Sequence, residues 1–223
     1  MRPLQFAILL AIGPGCVSQL RASACTTSPL SVYDASGFTC QLGPFTLTDF
    51  TYSFISGTLT IPDTAITVTP LAGLDFFSLT FSSTLFSASG SGSALYLLAY
   101  TWDPAPIRSA EDILNDPVIF PGLVQVTTDI CRDAAFIGAV CPTSVATLQV
   151  FDNGLTSVLT DSTSFSPAIS IAGMRNTIEI DGNGASASFD SFTNELIVPE
   201  PGTLMGGLFA LALAIRSLGL KRR

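Results

Sequence analysis

Side chains able to carry out chemistry are scarce in this chain. It holds 17 acidic and nine basic residues but no histidine. Its one lysine is Lys221, near the very end. Without histidine there is no Ser-His-Asp or Cys-His nucleophile system and no imidazole for a metal. Without an internal lysine there is no Ser-Lys pair and no P-loop lysine, and no G-x-S-x-G elbow occurs. Carboxylates are what remains. A glycosidase needs two of them facing across a cleft, about 5–10 Å apart. Glu111, Asp112 and Asp116 are the densest acidic group, but nothing in the sequence gives any of them a partner. Their plainer reading is the exposed start of a helix. No catalytic residue is assigned, the chain is read as a non-enzyme, and a carboxylate-based hydrolase ranks last among the functions considered.

Binding chemistry offers two weak candidates. Asp181 and Asn183 supply hard oxygens that suit calcium, but the further acid of an EF-hand is missing, and a metal-free turn is the simpler reading. Tyr96, Tyr100 and Trp102 alternate along one segment and could stack on a sugar, although such residues more often pack a core. No cofactor and no metal site is assigned. Of the five cysteines, Cys16 falls in the N-terminal leader discussed below. Cys25, Cys40, Cys131 and Cys141 remain, an even number that suggests disulfides in an exported chain. Four cysteines permit three pairings. The local one, Cys25–Cys40 with Cys131–Cys141, is preferred, each loop contributing about 3 kcal/mol in the chain-entropy model. A four-thiolate zinc site would want close CxxC pairs, which are absent.

The elements that must position these residues read as strands. Phe50, Tyr52 and Phe54 alternate with Asp49, Thr51 and Ser53. Ile66 and Val68 alternate with threonines, and Ile178 and Ile180 with Thr177 and Glu179. Period two is the mark of sheets with one dry face and one wet face. Asp152-Asn153-Gly154 and Asp181-Gly182-Asn183-Gly184 are turn signals between such runs. Ser87 to Ser93 reads as a Ser/Gly loop. One short helix is expected, because Ser109 with Asp112 three residues later makes a capping box before Ala110–Asn115. Eight to ten short strands predict an all-β antiparallel sandwich over 25–197, with a jelly roll among the topologies it admits.

The two ends read as export signals. Met1-Arg2-Pro3 is followed by an apolar run, Leu4 to Ile12, too short to span a bilayer. Ala22-Ser23-Ala24 fits the small-x-small rule for cleavage before Cys25, so residues 1–24 are read as a signal peptide. Residues 198–223 have three parts. Pro199-Glu200-Pro201 comes first, then an apolar stretch over 203–220, about 27 Å as a helix, then Lys221-Arg222-Arg223. This tail resembles the PEP-CTERM sorting signal. The resemblance implies an exosortase-type sorting protease as partner and transient anchoring in the inner membrane through 203–220. It also implies a destination in the cell envelope or outside the cell. The order of a Cys25–Cys40 segment, a Cys131–Cys141 pair and Ala187–Phe192 before the tail also resembles a layout recurring among uncharacterised PEP-CTERM proteins, which implies no activity.

Removing both ends leaves three arginines, Arg108, Arg132 and Arg175, against 17 acids between Cys25 and Pro201, a net charge of −14. Such a surface repels a phosphate backbone, so no nucleic-acid partner is expected. The function read from the sequence is an exported surface or matrix protein, structural and associated with exopolysaccharide. A carbohydrate- or calcium-binding sandwich is the alternative.

Overall fold

The computed structural model describes residues 23–199. The expected signal peptide up to Ala22, and the tail from Glu200 with its apolar span, fall outside them. In chain order the first strands are β1 (Ser23–Ala24), β2 (Ser28–Pro29), β3 (Cys40–Leu42), β4 (Phe45–Gly57) and β5 (Thr67–Ala72), with one turn of helix, α1 (Leu30–Tyr33), after β2. Then follow β6 (Phe76–Ser82), β7 (Ser87–Gly90), β8 (Ser93–Asp103), β9 (Ile107–Asn115), β10 (Val118–Phe120) and β11 (Leu123–Arg132). The last are β12 (Val145–Asp152), β13 (Ser157–Val158), β14 (Thr160–Ile169), β15 (Ala172–Asp181), β16 (Ala185–Ser188) and β17 (Ser191–Ile197). No helix among the described residues is long and apolar enough to cross a membrane.

Two sheets face each other. The larger has the order β1-β3-β4-β8-β15-β11-β12-β13, and the smaller β14-β9-β17-β6-β5-β2. Apart from the short parallel pair β1–β3, every pairing is antiparallel. The all-β sandwich expected from period-two alternation is therefore present. It is assembled from more strands than the eight to ten anticipated. Val124, Val126, Ile130, Ile178, Ile180, Leu98 and Leu148 point inward from the larger sheet. Leu79, Phe81, Ala110, Leu114, Phe192 and Leu196 meet them from the smaller. Aromatic rings join the layers, Phe45 with Phe77 at 5.3 Å and Phe81 with Tyr100 at 5.7 Å between centroids.

Three expectations are corrected. Residues 109–115 form strand β9 and not a helix. Ala110, Asp112 and Leu114 alternate inward, and ladders to β14 and β17 on both sides override the local capping signal. The polar Asp112 at an inward position hid that alternation. Ser87–Gly90, expected as loop, is strand β7, paired with β16 in a third sheet, β10-β16-β7. Small residues let the segments there approach closely. A Cβ on Gly182 would lie 2.7 Å from the Gly90 carbonyl oxygen. Finally, Tyr96, Tyr100 and Trp102 form no surface platform, since all three are buried inward from β8.

The core holds a chain of polar side chains that crosses between the sheets. Tyr100 donates to Asn194 Oδ1 at 2.6 Å. Asn194 Nδ2 donates to Asp112 Oδ1 at 2.7 Å and to Thr128 Oγ1 at 3.3 Å. Thr128 donates to Asn176 Oδ1 at 2.7 Å. Asp112 is 1% exposed, and its second oxygen, like Trp102 Nε1, has no hydrogen-bond partner among the described residues. Burial pushes the Asp112 carboxyl up from its ordinary 3.8 to about 7. The Thr128 hydroxyl and Asn194 amide oppose that rise, and the negative charges of Asp161 and Glu111 add to it. The exposed-helix reading of the acidic group is thus overturned for Asp112, which is a core acid.

Candidate functional site

Both disulfides form as the local pairing predicts, Cys25 with Cys40 and Cys131 with Cys141. The register of the larger sheet puts them at the same end of the sandwich. Cys40 lies opposite Leu47, Leu47 opposite Trp102, Trp102 opposite Ala172, and Ala172 opposite Arg132. That row spans four strand spacings, about 19 Å. Each disulfide closes a loop beside this end, 25–40 on one flank and 131–141 on the other.

The 131–141 loop is built to hold a fixed shape. Ile137 and Val140 exchange backbone hydrogen bonds at 2.9 and 3.1 Å around Gly138-Ala139. Gly138 sits at φ +59°, a left-handed conformation that glycine adopts without a Cβ penalty. Arg175 rises from the outer face of β15 and clamps the loop from beneath. Its guanidinium donates to the Ala139 carbonyl at 2.6 Å and to Asp129 Oδ2 at 2.7 Å. It also lies 4.6 Å from the centre of the Phe136 ring, a cation–π distance. The Asp129–Arg175 contact is the one ion pair among the described residues. At Gly173 the loop backbone comes so close that a Cβ would stand 2.8 Å from the Ala134 oxygen. Asp133 closes the other side, accepting from the Ser170 amide at 2.6 Å.

Between this loop and strand β4 lies a cleft of about 220 Å³ lined by Asp49, Thr51, Ala99, Thr101, Phe136 and Gly138. Asp49 reaches it through a β-bulge. Thr48 pairs with Thr101 and Thr51 with Ala99, so Asp49 and Phe50 together oppose Tyr100. Asp49 has φ +58°, where an L-residue is strained and aspartate is among the better tolerated. Its carboxylate accepts from the Thr48 hydroxyl at 2.8 Å. The bulge turns Phe50 into the core and leaves the carboxylate outside.

A second cleft, about 250 Å³, adjoins β4 on the side of the 25–40 loop and is lined by Asp34, Gly37, Phe38, Thr48 and Asp49 among others. Burial and the charge of Asp63 raise the Asp34 carboxyl, against the Tyr52 backbone amide. A third and larger cleft, about 420 Å³, is lined by Ala65, Thr67, Ser82, Ser83, Thr84 and Asp190. It offers only small side chains and one carboxylate, with no aromatic ring.

The sequence-level candidates are placed as follows. Asp181 accepts from the Asn183 amide at 2.8 Å, as an ordinary Asx turn does. Among the described residues no group of three or more acids or cysteines is arranged to hold a metal. Asp112 lies in the core, and none of Glu111, Asp112 and Asp116 lines the three clefts above. Ala24, at the expected cleavage point, belongs to β1, and Cys25 donates its amide to the Gln41 carbonyl at 3.0 Å. Pro199 is the last described residue, while Ala22, Glu200 and Pro201 lie outside. Asp49 and Phe136 escaped the sequence reading. The signal for Asp49 was there, because inward residues run Phe45, Leu47, then Phe50, Tyr52, and that change of parity marks a bulge.

No family model and no curated protein sequence matches the chain. Among solved structures it is similar to TmCBM61, determined in complex with β-1,4-galactotriose. The two are 10% identical, with 65% of this chain and 86% of that one covered and a TM-score of 0.34. A likeness of that size assigns neither fold nor ligand to this chain.

Proposed function

We propose that this is an exported, non-catalytic surface protein whose sandwich binds a neutral glycan in the cleft between Asp49 and Phe136. One observation carries the reading. A disulfide-closed loop, clamped by Arg175 and turned at Gly138, holds an aromatic ring beside a sheet face lined with hydroxyls and one carboxylate. An aromatic face takes the C–H side of a sugar, while the carboxylate and threonine hydroxyls take its O–H groups. Preorganised polar groups around an apolar contact are what a small-molecule site requires. The disulfides suit an oxidising compartment. Sorting through Pro199-Glu200-Pro201 by an exosortase-type protease, and association with exopolysaccharide, complete the proposal.

Two measurements test it. A glycan array followed by calorimetry, on the protein with both disulfides formed, should find a neutral saccharide that binds. Phe136→Ala should then weaken binding about tenfold or more, the scale of a hot-spot aromatic. An array without binders, or a variant that binds as well as the parent, sinks the glycan reading. Mass spectrometry of the protein from its own cells should give a chain beginning at Cys25 and ending near Pro201. An intact chain from Met1 to Arg223 in the envelope would refute the processing.

A further inference from the structure

We infer that the glycan site extends into one groove across the end of the larger sheet, with Phe38 and Phe136 as two aromatic subsites and Asp49 between them, built for a neutral polysaccharide chain. The inference rests on the glycan reading and adds the form of the ligand. Its first support is shared lining, since Asp49 borders both the cleft at Phe136 and the cleft at Phe38. Its second is the register. It puts the two disulfide-closed loops at the same end of the larger sheet, one carrying Phe38 and the other Phe136. Two clefts that share Asp49 admit more than one sugar ring.

Both rings are set by their surroundings. Phe38 is half-buried, 4.8 Å from the Tyr33 ring and 6.2 Å from that of Phe50. Phe136 rests against Arg175. The floor between them carries the hydroxyls of Thr48, Thr51 and Thr101. Asp49 is the third support. Glycine would occupy φ +58° without strain, yet an aspartate stands there with its carboxylate outside the sheet. Charge selects the ligand class. Asp34 and Asp49 line the groove and, among the described residues, no cationic side chain does, Arg175 being engaged by Asp129. A uronate-rich or phosphorylated chain would be repelled, and a neutral one can donate its hydroxyls to both carboxylates.

The test is calorimetry of the protein, both disulfides formed, with the array-selected neutral saccharide at lengths from one to six sugars. Affinity should rise about tenfold or more with length, the gain of one further stacked ring. Phe38→Ala should erase that gain, whereas Phe136→Ala should weaken every length. Asp49→Gly guards against misfolding, because glycine suits the bulge. It should melt no lower than the parent and bind every length at least fivefold more weakly. Equal affinity at all lengths, or a length gain that survives Phe38→Ala, overturns the extended groove and leaves the single cleft standing. Binding that survives Asp49→Gly also overturns it. No binding at any length removes the glycan reading itself. New reducing ends appearing during the titration would replace both with hydrolysis by the groove acids.

Discussion

Asp112→Asn will stabilise the protein above pH 7 by about 4 kcal/mol and leave it unchanged near pH 4. The native carboxyl titrates near 7 instead of its ordinary 3.8, chiefly because it is buried. At about 1.4 kcal/mol per pH unit, that displacement comes to about 4 kcal/mol. The sign follows from where the proton is held. Well below pH 3.8 the acid is neutral in both folded and unfolded chains, and its contribution to stability is fully present. As pH rises the unfolded chain ionises first, and the stability is lost progressively until the folded carboxyl ionises near 7. Above that the loss is complete and constant. Asparagine mimics the protonated acid. It can still accept from Asn194 Nδ2 through its oxygen, and it puts an amide where the unpartnered Oδ2 stands. Tyr100 from the opposite sheet and Asp161 and Glu111 on the same sheet are the titratable groups whose charge acts on it, and none is altered. The difference in melting temperature should therefore grow from near zero at pH 4 to about 10 °C at pH 8. A difference that stays flat between those limits would mean that Asp112 does not carry the proton.

That residue also marks the limit of what the sequence makes legible. Where apolar residues alternate without interruption, as at Ile66/Val68 and Ile178/Ile180, the strands and their inward faces follow directly from period two. The disulfides are the local pairing preferred among the three that four cysteines permit, and the antiparallel sandwich follows from many short strands between turns. The core polar chain breaks the pattern. Asp112, Thr128, Asn176 and Asn194 occupy inward positions that a hydrophobicity reading assigns to water, so β9 looked like a capped helix. They can be inside because each finds partners from another strand, far away in sequence, and sequence separation hides such pairing. Tyr96, Tyr100 and Trp102 misled in the opposite direction, since a row of aromatics serves a core as well as a surface. The cleft was illegible for a further reason. Phe136 lies in a segment with no periodicity, and it becomes part of a site only because Arg175, 39 positions later, clamps its loop onto the sheet.

The same core gives the sharpest test of coupling between the two sheet neighbours Asn194 and Asp112. Asn194→Asp alone removes the amide that donates to Asp112 and Thr128 and sets a second carboxyl within hydrogen-bond reach of the first. Two acids so placed share one proton and cannot both ionise in a dry site. Below about pH 4 the pair holds its protons and the variant should fold. Above pH 7 it should be destabilised by at least 3–5 kcal/mol, the cost of an uncompensated buried charge, on top of the burden that Asp112 already imposes. Circular dichroism melts across pH 4–8 would show the collapse. Exchanging the two residues, with Asp112→Asn added to Asn194→Asp, returns a single carboxyl to the network. At position 194 it can accept from the Tyr100 hydroxyl and from the new amide at position 112, so the bond between positions 112 and 194 is rebuilt with donor and acceptor reversed. The exchange should recover at least 2 kcal/mol at pH 7, a coupling expected only of residues in direct contact. If the double variant melts no higher than Asn194→Asp, the two positions act independently and the hydrogen bond between them is not what keeps an acid inside this core.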